Sequence, residues 1–130
     1  MATILIIDDD DALRGLLRRA LEREGHTVHD ASDGAAGVAL LRQVGADVVV
    51  TDLYMPWQDG IETIQEIRAE NEHVGIIAIS GGASTGDMGP LADARLFGAD
   101  IALPKPFTVT ALRRSVEVLV ARGRAGAGEA

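Results

Sequence analysis

The residues that could do chemistry in this chain stand where four short apolar segments end. Each segment leads into a carboxylate, a hydroxyl or an amine, and these residues are Asp8, Asp9, Asp52, Ser80 and Lys105. If the segments are parallel strands of one sheet, their carboxyl ends share an edge, and open α/β sheets bind ligands at that edge. The pattern therefore predicts a site that gathers carboxylates, a hydroxyl and an ammonium from distant parts of the chain.

This set of groups favours phosphoryl transfer. Two carboxylates about 4 Å apart repel by about 4 kcal/mol at an effective dielectric near 20, so Asp8, Asp9 and Asp52 would need a cation or raised pKa values. Mg²⁺ prefers oxygen ligands and binds through one or two carboxylates, waters and a phosphate. An acidic nucleophile, a metal and two donors, Ser80 and Lys105, would together serve a phosphoryl group.

Lys105 is the only lysine, and the other basic residues are all arginine. A compact ammonium is therefore expected to fit a place in the site that a planar guanidinium does not fit.

The composition limits the class of protein. A chain of 130 residues is predicted to form one domain with a sizeable core. The absence of cysteine excludes a disulfide framework, a thiolate metal site and a cysteine nucleophile. The net charge of −8 argues against direct nucleic-acid binding. Residues 4–7 form too short an apolar run for a signal peptide or membrane insertion, which predicts a cytoplasmic protein.

Strand-like and helix-like segments alternate five times, which is typical of an α/β, doubly wound parallel sheet. The predicted strands are residues 3–7, 26–30, 47–51, 74–79 and 100–103. Asp10 or Asp11 should cap the first helix and Asp33 the second, and Gly25 and Gly45 should end them. A glycine-rich loop, a short helix at 90–97 and a last helix should follow, with a domain over residues 1–122 and a disordered tail over 123–130.

The motifs and their order resemble the receiver domain of bacterial two-component response regulators over essentially the whole chain. The matching residues are the pair Asp8-Asp9, the segment from Asp52 through Pro56 to Asp59-Gly60, Ser80 at the end of a strand, and Lys105-Pro106-Phe107. The resemblance implies a flavodoxin-like (βα)5 sheet with strand order 2-1-3-4-5.

The resemblance also implies roles for the site residues. Asp52 would accept a phosphoryl group from the phosphohistidine of a sensor histidine kinase or a histidine phosphotransfer protein. Asp9, Asp52 and the Tyr54 backbone carbonyl would bind Mg²⁺, and Asp8 would act mainly through metal-bound water. Lys105 would pair with the phosphoryl group, and the peptide bond between Lys105 and Pro106 would be cis.

Ser80 would hydrogen-bond the phosphoryl group as the conformational switch. The family usually has an aromatic residue three positions before the lysine, but this chain has Ala102. The hypothesis is therefore that output runs through the glycine-rich loop after Ser80. Pro104 and Trp57 are further departures from the family pattern.

The expected function is that of a stand-alone receiver, a signalling domain and not an enzyme, which switches contacts with a downstream protein. Alternatives are a phosphorelay carrier and a receiver excised from a hybrid kinase or a larger regulator. A Mg²⁺ phosphohydrolase is a further class, but such enzymes place an acid two residues after the nucleophile, where this chain has Tyr54.

Simpler interpretations account for part of the pattern. An acidic helix start explains Asp10 or Asp11, because carboxylates suit a helix N-terminus, but it does not explain Asp8 directly after an apolar strand. Ser80 followed by glycine is also ordinary loop chemistry. The glycines at 81–86 lack the lysine and hydroxyl residue of a P-loop.

Overall fold

The computed structural model describes residues 1–53, 60–80 and 98–128, with the exception of the side chains of Ser80 and of residues 124–128. Five parallel strands form one sheet in the order β2-β1-β3-β4-β5, which confirms the predicted fold class. The strands are β1 (Thr3–Ile7), β2 (Thr27–Ala31), β3 (Val48–Asp52), β4 (Gly75–Ser80) and β5 (Ile101–Pro104). The helices of the described ranges are α1 (Asp11–Arg23), α2 (Gly34–Val44), α3 (Gly60–Glu70) and α4 (Val109–Gly128).

The central strands are apolar on both faces because helices cover both sides of the sheet. In β1, Leu5 and Ile7 pack into one buried cluster, while Ile4 and Ile6 point the other way into a second. The first cluster lies under α2 and α3 and includes Val38, Leu41, Ile64 and Ile67. The second lies under α1 and α4 and includes Leu17, Leu21, Leu112 and Val116. This aliphatic packing fixes the strand ends against one another.

The predicted helix signals are confirmed at α1 and α2. The Asp10 side chain accepts a hydrogen bond from Leu13 N, and the Asp33 side chain accepts one from Ala36 N, so both aspartates are N-caps. Gly45 ends α2 with a φ of 64°, and Gly25 follows α1 with a φ of 92°. Both glycines adopt the left-handed conformation that other residues rarely take.

The last four strands each lie one residue later in the chain than predicted. Two of the expected first residues instead connect to neighbouring strands through their side chains: that of Asp47 accepts a hydrogen bond from Thr3 N at 2.9 Å, and that of Asp100 accepts one from Ile76 N at 2.8 Å. The shift makes Asp52 and Ser80 the final residues of their strands, so the backbone ladder positions both of them.

Arg68 on α3 is half-buried and does not simply face the solvent. It donates hydrogen bonds to the carbonyl of Gly98 and the carboxylate of Asp100. The guanidinium therefore joins α3 to the start of β5.

Helix α4 ends at Gly128. The domain boundary and the disorder of residues 123–130 stay predictions. The helix predicted at 90–97 lies outside the described residues. Among the helices of the described ranges, none is long and apolar enough to cross a membrane.

Gly60 allows α3 to begin directly against the end of β3. A Cβ at this position would collide with the backbone carbonyl of Asp52 and lie 2.5 Å from Leu53 Cα. We therefore expect Gly60→Ala to lower the free energy of unfolding by about 1–3 kcal/mol, measured by urea denaturation. Gly123→Ala is the control, because its Cβ would meet nothing within 4 Å. Equal effects of the two substitutions would contradict this packing.

Candidate functional site

The carboxyl edge of the sheet brings the three aspartates together. Asp8 follows β1 directly and Asp52 ends β3, and these two strands are paired in register with Ile7 opposite Thr51. One carboxylate oxygen from each of Asp8, Asp9 and Asp52 lies within 4.8 Å of the others. Asp8 and Asp52 are buried, and Asp9 is exposed. The parallel register therefore produces the acidic cluster that the sequence predicted.

Lys105 reaches this cluster from the other side of β3. It follows β5, which lies beyond β4 in the sheet, and its Nζ lies 3.1 Å from Oδ2 of Asp52. The side chain of Asp52 is 6% exposed and that of Lys105 is 30% exposed. The bond between Lys105 and Pro106 is cis. The partly exposed ammonium therefore contacts one buried carboxylate of the cluster.

Asp8 is the most deeply placed acid of the cluster. Its Oδ1 accepts a hydrogen bond from Asp10 N at 2.9 Å, whereas its Oδ2 is buried and has no hydrogen-bond partner among the described residues. The pKa of Asp8 is raised from 3.8 to about 6, mainly because burial disfavours the charged form. The negative charges of Asp52 and Asp9 contribute to this rise, whereas the hydrogen bond from Asp10 and the charge of Lys105 oppose it.

An oxygen-only cluster with one buried, unpaired carboxylate oxygen fits a hard divalent cation. Such a cation would replace the missing partner of Asp8 Oδ2 and would lower the repulsion among the three charges. Mg²⁺ is the ion that best matches one or two carboxylates with the remaining positions left for water and phosphate. The donor set of this edge is therefore chemically suited to Mg²⁺.

The remaining predicted residues are described only in part. Ser80 ends β4 opposite Pro104 of β5, so its backbone lies at the same edge, but its side chain is outside the description. Tyr54, Trp57 and the glycine-rich loop also lie outside the described residues. Ala102 is half-buried on β5 and packs against the cluster under α2 and α3.

The sequence pattern did not indicate Arg14, which lies at the border of the site. Arg14 Nη1 donates to the backbone carbonyl of Asp8 at 2.8 Å, and the guanidinium also contacts Asp11 and Asp30. The only sequence signal was the i, i+3 spacing from Asp11 to Arg14 on a predicted helix. The contact with Asp30 depends on the pairing of β1 with β2, which the sequence spacing does not reveal.

Comparison with known proteins assigns the chain to a family. The family model of the response regulator receiver domain matches residues 4–117, and the chain therefore belongs to this family. A solved response regulator receiver domain protein from Clostridium thermocellum is similar, with 29% identity and a TM-score of 0.89 over 96% of this chain and 98% of that one. The predicted resemblance and the flavodoxin-like topology are confirmed.

Two curated relatives show the kinds of protein in which similar sequences occur. The response regulator MprA of Mycolicibacterium vanbaalenii is 36% identical over 97% of this chain, which is 54% of MprA. The sensor kinase CckA of Brucella abortus is 36% identical over 92% of this chain, which is 12% of CckA. The chain therefore spans about half of one relative and a small part of the other.

Membership in this family defines the general role of the chain. Receiver domains are signalling domains of two-component systems and usually not enzymes, and they interact with sensor kinases. The family is known to bind Mg²⁺ at an acidic pocket, and this chain presents a cluster of three aspartates at the corresponding edge.

The raised pKa of Asp8 predicts how stability depends on pH in the metal-free protein. Between pH 4 and 6 the folded state holds a proton that the unfolded state has lost, so stability falls as pH rises through this window. A shift of about two units corresponds to about 3 kcal/mol. We expect Asp8→Asn to be more stable than the wild type at pH 7 by about 1–3 kcal/mol.

Urea denaturation in EDTA at pH 7 and pH 4 measures this difference. The advantage of Asp8→Asn should shrink toward pH 4, where the buried carboxyl of the folded wild type is protonated and carries no charge. An unchanged or lower stability of the variant at pH 7 would show that Asp8 carries no such penalty.

Proposed function

We propose that this chain is a response regulator receiver whose Asp52 accepts a phosphoryl group from the phosphohistidine of a sensor histidine kinase or a histidine phosphotransfer protein. The observation that carries the proposal is the contact of Lys105 Nζ with Asp52 Oδ2 beside the carboxylates of Asp8 and Asp9. Asp52 is the acid of the cluster that ends a strand and is paired with the ammonium, so its carboxylate is held at the open edge of the sheet.

The transfer exchanges one bond for another. An oxygen of the Asp52 carboxylate attacks phosphorus, an O–P bond forms, and the N–P bond to the donor histidine breaks, with its electron pair returning to the imidazole. Lys105 balances the charge that spreads over the phosphoryl oxygens. The Ser80 hydroxyl donates a hydrogen bond to another phosphoryl oxygen and acts as the switch. Asp8, Asp9, Asp52 and the Tyr54 backbone carbonyl would hold Mg²⁺, which would supply additional positive charge near the phosphoryl oxygens.

The surface beside the site supports docking of the phosphohistidine protein. An apolar groove of about 460 Å³ lies between the first half of α1 and the chain after β5, next to the ammonium. Its lining residues are Leu13, Leu16, Leu17, Lys105, Pro106, Phe107 and Val109. Leu16 is 49% exposed, so a partner that brings its histidine to Asp52 would also cover apolar surface.

The chain would act in the cytoplasm through contacts with a downstream protein, as a stand-alone receiver that catalyses only its own phosphorylation and dephosphorylation. A phosphorelay carrier is the alternative in which a second histidine protein takes the phosphoryl group from Asp52. A receiver from a hybrid kinase or larger regulator is the other alternative. The two relatives favour this last alternative, because the sequence matches only 54% of the length of MprA and 12% of the length of CckA.

Phosphorylation of Asp52 has a direct test. Acetyl phosphate with Mg²⁺ should add the mass of one phosphoryl group to the wild type, and Asp52→Asn should add none, because the amide is not a nucleophile of comparable strength. Intact mass spectrometry measures both. A phosphorylated Asp52→Asn variant would place the acceptor elsewhere and would overturn the proposal.

Lys105 should not be replaceable by arginine. Lys105→Arg keeps the positive charge, but a planar guanidinium does not reproduce a compact ammonium at 3.1 Å from a buried carboxylate. We expect phosphorylation by acetyl phosphate to slow by about tenfold or more. Arg113→Lys, which changes an ion pair with Glu24 at the C-cap of α1, is the control. A wild-type rate in Lys105→Arg would mean that charge alone suffices.

A further inference from the structure

Arg14 contacts the acidic cluster through the backbone and not through a carboxylate of the cluster. Its Nη1 donates to the carbonyl of Asp8 at 2.8 Å. Its Nη2 lies 2.7 Å from Asp11 Oδ1, and its Nε lies 3.3 Å from Asp30 Oδ1. The side chain is 17% exposed. All three guanidinium nitrogens therefore face oxygen atoms from three parts of the chain: the end of β1, the start of α1 and β2.

The charge of Arg14 is already balanced by its neighbours. Asp11 and Asp30 both pair with it, and Arg18 Nη1 holds the other oxygen of Asp30 at 2.6 Å. Little positive charge is therefore left over to neutralise the acidic cluster. Arg14 instead donates a hydrogen bond of fixed direction to the cluster, because its planar guanidinium is held in place by Asp11 and Asp30.

The accepting carbonyl belongs to the peptide group that joins Asp8 to Asp9. The orientation of this peptide determines where the Asp9 side chain leaves the backbone. Within the described parts of the chain, no hydrogen bond or ion pair holds the Asp9 carboxylate, which is exposed. The position of Asp9 beside Asp8 and Asp52 therefore depends on its backbone.

We propose that Arg14 is a positioning residue, which holds the Asp8–Asp9 peptide so that the Asp9 carboxylate stays beside those of Asp8 and Asp52. This inference rests on the proposed function, since the cation served by these carboxylates is the Mg²⁺ of phosphoryl transfer. Arg14 touches neither the cation nor the phosphoryl group. Arg14 increases the Mg²⁺ affinity of the site by keeping the three carboxylates in position.

The chain offers a matched pair of variants. Arg14→Gln removes the hydrogen bond to the Asp8 carbonyl, whereas Arg18→Gln removes an arginine from the same Asp30 but leaves that hydrogen bond intact. Both variants lose one positive charge from the same helix. Circular dichroism and urea denaturation establish that each is folded before binding is compared.

Calorimetric titration with MgCl₂ should show an Mg²⁺ dissociation constant about tenfold higher in Arg14→Gln and within about twofold of the wild type in Arg18→Gln. Phosphorylation by acetyl phosphate should need correspondingly more Mg²⁺ in Arg14→Gln, while its rate at saturating Mg²⁺ stays close to that of the wild type. Equal losses in both variants, or no loss in Arg14→Gln, would overturn the inference.

A metal-free measurement separates this inference from the proposed function. The Asp10 amide donates to Asp8 Oδ1, so its hydrogen exchange reports on the order of this turn. Exchange at Asp10 should be faster in Arg14→Gln and unchanged in Arg18→Gln. If the wild type bound no Mg²⁺, the proposed function would fail, and unchanged exchange in Arg14→Gln would still refute the positioning role by itself.

Arg14→Lys keeps the positive charge but removes the planar guanidinium, and it should disturb folding less than Arg14→Gln. One ammonium cannot reproduce three directed contacts with Asp8, Asp11 and Asp30, so the Mg²⁺ affinity of Arg14→Lys should stay well below that of the wild type. Full recovery of affinity with lysine would show that charge, and not the held peptide, is what matters.

Discussion

The central constraint on this structure is the repulsion among three carboxylates that lie at one edge of the sheet. Asp8 and Asp52 are buried and Asp9 lies beside them, while Lys105 pairs with Asp52. Burial disfavours the charged form of Asp8 and the charge of Asp52 adds to this effect, so the pKa of Asp8 rises to about 6. The fold keeps this unfavourable group because two aliphatic layers fix the strands that carry it, and the same repulsion makes the edge a strong site for a cation.

Each element contributes by holding one group of the site. The register of β1 and β3 places Asp8 next to Asp52, and Gly60 lets α3 begin against the Asp52 carbonyl. On the other side, Arg68 joins α3 to the start of β5, the strand that leads to Lys105. A receiver needs an edge of this kind, because phosphoryl transfer is mainly a matter of position and charge.

The sequence predicted the features that depend on local pattern. Apolar runs indicated four of the five parallel strands, and Asp33 and Gly45 indicated the ends of α2, because capping is decided within a few residues. Features that depend on contacts between distant elements were missed. Arg14 and Arg68 looked like ordinary charged helix residues, and only the folded chain brings Asp30 to the first and Asp100 to the second.

A crystal structure grown with Mg²⁺ and beryllium fluoride, a stable mimic of a phosphoryl group on a carboxylate, is the most direct test of the site. We expect the fluoride group on Asp52 in contact with Lys105 Nζ, and one Mg²⁺ bound among the oxygens of Asp8, Asp9 and Asp52. A fluoride group bound elsewhere, or a metal outside these three carboxylates, would contradict this expectation.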